Sequence, residues 1–303
     1  MGYLQNYVQI KIVFQKAVQR FKQADIQEPE LEVSLLLAHT LAMERTAVHL
    51  HGERNVDDSQ LEIFEKYVIR RLSREPLAYI IGKKEFWSVP FTVSKDVLIP
   101  RPETEFLLEK TFTVLKNSGE SLHQKIKILD LGTGSGVIAI VVAMELVASQ
   151  VTAIDYSYKA LKIALHNAQK HNVAKRIDFV NCNWFDGIAA KAEFDVIISN
   201  PPYVAKEVIA KTPGKTTGSL QPEVRDFEPC LALDGGTRGI QGIRRIAAEL
   251  GKVLKPCGWF FMEIGADQRQ EVFDIFTGTG AYKSIEIYND YAGLPRVLQA
   301  RKI

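Results

Sequence analysis

Cysteine is scarce in this chain: Cys182, Cys230 and Cys257 among 303 residues. Odd in number and widely spaced, they make neither a disulfide framework nor a zinc cluster. The histidines add no ligand spacing; His49-x-His51 reads as a solvated helix end, and no metal is expected. An excess of one charge is missing too. The net charge is +2, and residues 1–84 are close to neutral, so the broad basic field of a nucleic-acid-binding protein is absent. No apolar run approaches the ~20 residues of a membrane-spanning helix. Met1-Gly-Tyr-Leu-Gln-Asn6 lacks the basic flank and apolar core of a signal peptide, and Asn6 stands where a myristoylation motif wants Ser or Thr. These absences lead to the expectation of a reducing setting, the cytoplasm or an organelle interior with the cytoplasm as the default, with no membrane attachment and no stable nucleic-acid complex; a monomer is expected as well.

What remains is an ordinary globular composition, 46% hydrophobic and 24% charged, long enough for two domains. Residues 1–84 read as helical. Val8, Ile12, Val13, Val18 and Phe21 outline a first helix, and Pro29 opens a second with Leu31, Leu35, Leu36 and Leu37 behind it. Asp57, Asp58 or Ser59 caps a third through Leu61, Phe64, Tyr67, Val68 and Leu72, and Pro76 marks its end. Residues 85–105 read as a connector, with a β-hairpin over Phe86–Val93 and a rigid Pro100-Arg-Pro-Glu-Thr-Glu105 leading into a helix.

From residue 106 the chain forms the second domain, and from Lys125 strands alternate with helices. The strands are Ile126–Leu129, Val151–Ile154, Ile177–Val180, Phe194–Ser199 and Trp259–Ile264; the helices are Val137–Val147, Lys159–Lys170, Gly239–Leu254 and one from Gln268. Tyr282–Tyr288 and Arg296–Ala300 suggest an antiparallel edge. The fold class is α/β: a Rossmann-like, doubly wound sheet with a small N-terminal helical domain. Between Tyr203 and Gly239 periodicity fades. Gly214-Lys-Thr216 lies there, but Ile209 occupies the first glycine position of a phosphate loop, which excludes a nucleotide hydrolase.

Two stretches carry the chemistry. Asp130-Leu-Gly-Thr-Gly-Ser-Gly136 follows a strand and opens a helix, so Gly132, Thr133, Gly134, Ser135 and Gly136 form a tight turn that a ligand can approach closely. A dinucleotide fingerprint would need glycine where Val137 stands. Asp155 ends the next strand, where a carboxylate accepts ribose hydroxyls. The set suits an adenosyl ligand without a pyrophosphate, such as S-adenosyl-L-methionine, better than a nicotinamide cofactor. Trp184 falls on the same sheet edge, where it can pack on an adenine; by itself it reads more readily as a core or rim aromatic.

The second stretch is Asn200-Pro-Pro-Tyr203. It follows a strand that ends because Pro201 and Pro202 lack an N–H. Asn and Pro are also ordinary turn residues. At the carboxyl end of a parallel strand, however, this turn faces the crevice where α/β sheets bind ligands. The Asn200 side-chain oxygen and the Pro201 carbonyl can accept the two hydrogens of a planar NH2 group, and Tyr203 offers it a flat face. Such a clamp positions a weak nucleophile without a strong base.

Together with Arg74-Glu-Pro-Leu-Ala-Tyr-Ile-Ile-Gly82, Val97-Leu-Ile-Pro-Arg-Pro-Glu-Thr-Glu105, Phe227-Glu-Pro229 and Gly293–Arg296, these motifs resemble the release factor glutamine methyltransferase family over most of the chain. The Asn-Pro-Pro-Tyr tetrapeptide is shared with adenine-N6 DNA methyltransferases; the other stretches narrow the likeness. The resemblance implies a methyl transfer from S-adenosyl-L-methionine to the glutamine amide in the Gly-Gly-Gln loop of class-one peptide chain release factors. It implies that Gly132–Gly136, Asp155, Trp184 and Asn200 contact the cofactor, while Asn200, Pro201, Pro202 and Tyr203 hold the substrate amide. The N-terminal helices are expected to dock the protein substrate. The family often has Asp where Asn183 stands, so a charge-dependent role is not carried over there. Two other readings compete: a nucleic-acid N-methyltransferase that flips adenine or guanine into the pocket, and a non-catalytic S-adenosylmethionine-binding assembly protein. The intact amide clamp opposes the latter.

Overall fold

The computed structural model describes residues 8–117, 125–209 and 220–303. Met1–Asn6 and Gly214–Thr216, both singled out above, lie outside the described residues. The chain divides into two units, Met1–Gly82 with Pro222–Phe227, and Lys83–Gln221 with Glu228–Ile303.

The first unit contains β1 (Val8–Gln9), α1 (Ile10–Gln23), α2 (Pro29–Thr40), α3 (Arg45–Leu50), β2 (Asn55–Val56), α4 (Asp58–Leu72) and α5 (Leu77–Ile81). Its core joins Ile10, Val13, Phe21, Leu36, Leu37, Phe64 and Val68. Asp57 caps α4 in a capping box with Gln60. Several expectations shift. Val8 pairs with Val56 in a two-residue antiparallel ladder, and Ile12 faces solvent. The apolar stripe of α1 starts at Ile10 instead. Helix α4 stops at Leu72, and Pro76 caps the start of α5, where its fixed φ suits a helix entry. Both α3 and α5 are too short to show a helical period in sequence.

The second unit begins with β3 (Lys83–Phe86) and β4 (Val89–Thr92), a hairpin that starts three residues earlier than expected. Trp87 and Ser88 both have positive φ, the demand of a two-residue turn between twisted strands. Then follow α6 (Pro102–Asn117), β5 (Lys127–Leu131), α7 (Val137–Glu145), β6 (Gln150–Asp155), α8 (Tyr158–Lys170), β7 (Ile177–Asn181), β8 (Phe194–Ser199) and α9 (Lys206–Ile209). Next come α10 (Pro222–Phe227), which is counted with the first unit, α11 (Cys230–Leu233), α12 (Gln241–Glu249), β9 (Leu254–Glu263), α13 (Arg269–Gly278), β10 (Tyr282–Asn289) and β11 (Pro295–Lys302). The helix expected through Leu254 ends at Glu249, followed by a 3-10 turn, and Leu254 starts β9.

The main sheet has the order β10-β11-β9-β8-β5-β6-β7. Strands β7, β6, β5, β8 and β9 are parallel; β11 and β10 continue antiparallel as the expected edge. Alternate residues supply two cores. Ile128, Val151, Val196 and Phe261 pack with Leu107 of α6 and Ile140 of α7, while Leu129, Ile154, Ile197 and Phe260 pack with Ile246 of α12 and Phe276 of α13. With both faces covered, the middles of the central strands are mainly apolar, as buried parallel strands are. The chain runs from β5 outward to β7 and returns to β8 on the other side of β5. The order therefore reverses between the carboxyl ends of β5 and β8, where open sheets bind ligands.

Candidate active site

Leu131, Asp155, Asn181, Ser199 and Glu263 end the five parallel strands along one edge. Above that edge lies a cavity of about 470 Å³, within the size range of small-molecule sites. Gly132, Thr133, Gly134, Ser135, Asp155, Trp184, Asn200 and Pro202 line it. Gly136, Pro201 and Tyr203 do not. Ser199 hydroxyl donates to the Leu131 carbonyl (2.7 Å), which fixes the glycine loop and the Asn-Pro-Pro-Tyr turn against each other.

The glycines divide the work. A Cβ added to Gly134 would meet no atom within 4 Å, so its backbone faces open cavity. At Gly136 a Cβ would come within 3.0 Å of both Ala164 and Ile140, with φ at 87°. Gly136 thus permits α7 to pack on α8, a structural need. Buried Asn167 reinforces the loop: its Nδ2 donates to the Ser135 and Thr92 carbonyls (2.9 and 3.0 Å), and its Oδ1 accepts from the Thr92 N–H (2.8 Å).

Asp155 is half-buried at the crevice. Its carboxylate accepts from the N–H of Gly134 and of Ser157, both at 2.8 Å. Burial pushes its pKa up against those two bonds. Each oxygen keeps a lone pair for ribose hydroxyls. Trp184 lines the cavity but also leans on α12: a Cβ on Gly242 would sit 3.2 Å from the indole ring. Tyr156, largely exposed, adds a second aromatic at the rim. The backbone space at Gly134, a carboxylate at the end of the second strand and flanking aromatics fit an adenosyl group.

Beside the Asn200 turn stand Thr104 and Glu263, to which no sequence motif assigned a role. Asn200 Nδ2 donates to Thr104 Oγ1 (3.0 Å), Thr104 Oγ1 donates to Glu263 Oε2 (2.7 Å), and Tyr203 Oη donates to Glu263 Oε1 (2.9 Å). Tyr203 therefore spends its hydroxyl on Glu263. Among the described residues no donor engages Asn200 Oδ1, so that oxygen is open to a ligand. Glu263 is fully buried; desolvation raises its pKa, opposed by the Thr104 and Tyr203 bonds and the charge of Arg296. Burial, with Glu263 alongside, also raises the Tyr203 phenol, which stays protonated. The signal was present: Glu263 is a charged residue ending an otherwise apolar run from Trp259. The turn is braced from behind by Gln268, whose Nε2 donates to the carbonyls of Tyr203 and Gly239, each at 3.1 Å. Arg101 lines the cavity and pairs with buried Glu228. No group of three or more potential metal ligands is assembled among the described residues. No helix among them is long and apolar enough to cross a membrane.

A family model described as PrmC N-terminal domain matches residues 13–82, and one described as Methyltransferase small domain matches residues 104–215. A release factor glutamine methyltransferase of Nitratidesulfovibrio vulgaris is 36% identical over 298 residues, 98% of this chain and 96% of its own length. Another, of Caulobacter vibrioides, is 39% identical over 265 residues, 88% of this chain and 87% of its own. Among solved structures, a methyltransferase from Pyrococcus furiosus superposes with a TM-score of 0.51 at 17% identity, covering 81% of this chain and 98% of that one. At that identity the likeness speaks for the fold.

Proposed function

Because the chain belongs to the release factor glutamine methyltransferase family, we propose that it methylates the side-chain amide nitrogen of the glutamine in the Gly-Gly-Gln loop of class-one peptide chain release factors. S-adenosyl-L-methionine, when bound, supplies an electrophilic methyl group. Gly132, Thr133, Gly134, Ser135, Asp155 and Trp184 hold that cofactor, Asp155 through the ribose hydroxyls.

Asn200 Oδ1 and the Pro201 carbonyl accept the two hydrogens of the substrate amide, which leaves the nitrogen lone pair directed at the methyl group. Pro202 and the half-buried Tyr203 stiffen the turn that carries these acceptors. The amide nitrogen gains the methyl group as the bond from that methyl to sulfur breaks, which leaves S-adenosyl-L-homocysteine, and it then gives up one of its two protons to water. The two acceptors stabilise the positive charge that grows on nitrogen meanwhile. The observation that carries this reading is the bonding of Asn200, whose Nδ2 is spent on Thr104 while Oδ1 stays open in a residue that lines the cavity.

The test is mass spectrometry of a purified class-one release factor after incubation with the protein and S-adenosyl-L-methionine. The expected result is one added methyl group, about 14 Da from elementary composition, on the loop glutamine. An unmodified release factor alongside methylated nucleic acid would overturn the substrate assignment.

A further inference from the structure

A site for an amide must tell glutamine from glutamate. The two side chains share a shape and differ in whether the outer atom donates or only accepts. An asparagine amide is ambiguous in this respect, since rotation by a half-turn exchanges its oxygen and nitrogen. Something must hold it one way round.

The chain of bonds behind Asn200 does so. Thr104 Oγ1 donates its single proton to Glu263 Oε2 (2.7 Å). With its proton spent, Thr104 Oγ1 can only accept from Asn200, which must therefore present Nδ2 to it (3.0 Å). Oδ1 is left to the ligand. Tyr203 Oη occupies the other Glu263 oxygen (2.9 Å), so the carboxylate cannot turn away without losing a bond. Glu263 and Thr104 are both buried, out of competition with water.

Resting on the proposed function, we infer that Glu263, acting through Thr104, locks the Asn200 amide with its oxygen toward the substrate and thereby makes the site select an amide over a carboxylate. Glu263 and Thr104 are positioning residues in this scheme. A glutamate side chain would bring its own acceptors against Asn200 Oδ1 and the Pro201 carbonyl. A site built around hydrogen-bond polarity rejects such a mismatch strongly, because buried acceptors would face each other unpaired.

The experiment compares wild type, Thr104→Val and Thr104→Ser. Each is given release factor as substrate, and release factor with glutamate in place of the loop glutamine as inhibitor. Valine keeps the shape of threonine and removes the relay; serine keeps the relay. Thr104→Val should lower kcat about 10- to 100-fold, the scale of one lost positioning bond, with S-adenosylmethionine affinity unchanged. It should also bind the glutamate form about tenfold more tightly relative to glutamine, as the freed amide turns its NH2 forward. Thr104→Ser should restore both values. A Thr104→Val protein that loses kcat while its glutamine-to-glutamate preference stays the same overturns the inference and leaves only a structural role. If wild type fails to methylate release factor, the proposed function falls. The orientation is then judged by hydrogen exchange of the Asn200 side-chain NH2 in selectively 15N-labelled protein. Slow exchange in wild type and fast exchange in Thr104→Val supports the lock; equal exchange in the two overturns it.

Discussion

Each unit of this protein buries charge, and each solves the problem differently. In the helical unit, buried Arg71 reaches Glu32 at 2.5 Å and Glu223 of α10 at 3.1 Å, and Arg74 adds a longer contact to Glu223. The opposite charges cancel locally. In the methyltransferase unit, Glu263 and Asp130 are buried with no direct cation partner among the described residues. Neutral donors hold them: Thr104 and Tyr203 for Glu263, and the Thr133 hydroxyl with the Ala139 N–H for Asp130. A closed ion cluster fixes the chain and has nothing left to offer. A carboxylate held by hydroxyls fixes their direction instead, and passes that direction on to the groups that meet a ligand.

The contrast is broken most strongly at Arg71. Arg71→Met keeps much of the shape and leaves Glu32 without its buried partner, so it should cost about 3–5 kcal/mol of stability. Chemical denaturation followed by a reporter in the helical unit should show the loss, while S-adenosylmethionine affinity stays near wild type. An unchanged denaturation midpoint would mean that the cluster contributes nothing net. Asn200→Ala should do the reverse. Turnover on release factor should fall by about 100-fold or more, close to 3 kcal/mol of transition-state stabilisation, with the unfolding midpoint almost unmoved. Near-normal turnover would remove Asn200 from the chemistry.

Asp130 sharpens the comparison through pH. Its Oδ1 is buried with no bonding partner among the described residues, and burial, aided by the Asp155 charge, raises its pKa from 3.8 to about 7. For an acid with a raised folded pKa, the native state holds its proton where the unfolded chain has lost it. Stability is therefore greatest below the unfolded value and declines as pH rises toward the folded one. Relative to Asp130→Asn, which cannot titrate, wild type should lose about 2–3 kcal/mol between pH 5 and pH 8. Melting curves of the two proteins at both pH values measure the difference. A wild-type-to-variant gap that does not change with pH would show that Asp130 is ionised throughout.

What could be read from the sequence follows from the range of the interactions. The sheet was legible because its strands are covered on both faces, so Val196–Ile198 and Phe260–Met262 are uninterrupted apolar runs bounded by turn residues. The glycine loop, Asp155 and Asn200 were legible because each sits at a strand end, and strand ends share one edge in any doubly wound fold. Thr104 and Glu263 were not read as partners because 159 residues separate them, and no local pattern records which hydroxyl meets which carboxylate. The start of the hairpin reads three residues late because Trp87 and Ser88 adopt a positive φ that glycine or asparagine would have signalled. Gly136 sits inside the loop motif yet answers to helix packing, a distinction that spacing cannot make.

The smallest expected effect tests how far the ion cluster reaches. The chain leaves the methyltransferase unit after Gln221 and returns at Glu228; between them, α10 is counted with the helices and carries Glu223. Immediately after α10, Glu228 pairs with Arg101, and both Arg101 and Pro229 belong to the site's framework, lining the cavity or backing it. Glu223→Gln keeps an acceptor for Arg71 and removes the charge, while Glu32 stays in place, so the stability cost should be about 1 kcal/mol. If α10 merely caps the helices, only that cost will be seen. If its anchoring also holds the segment that follows, the KM for release factor should rise by a similar free energy, about fivefold, while S-adenosylmethionine affinity stays constant. Steady-state kinetics with each substrate varied in turn distinguishes the two. An unchanged KM for release factor would confine the cluster to the helical unit and separate the two uses of buried charge completely.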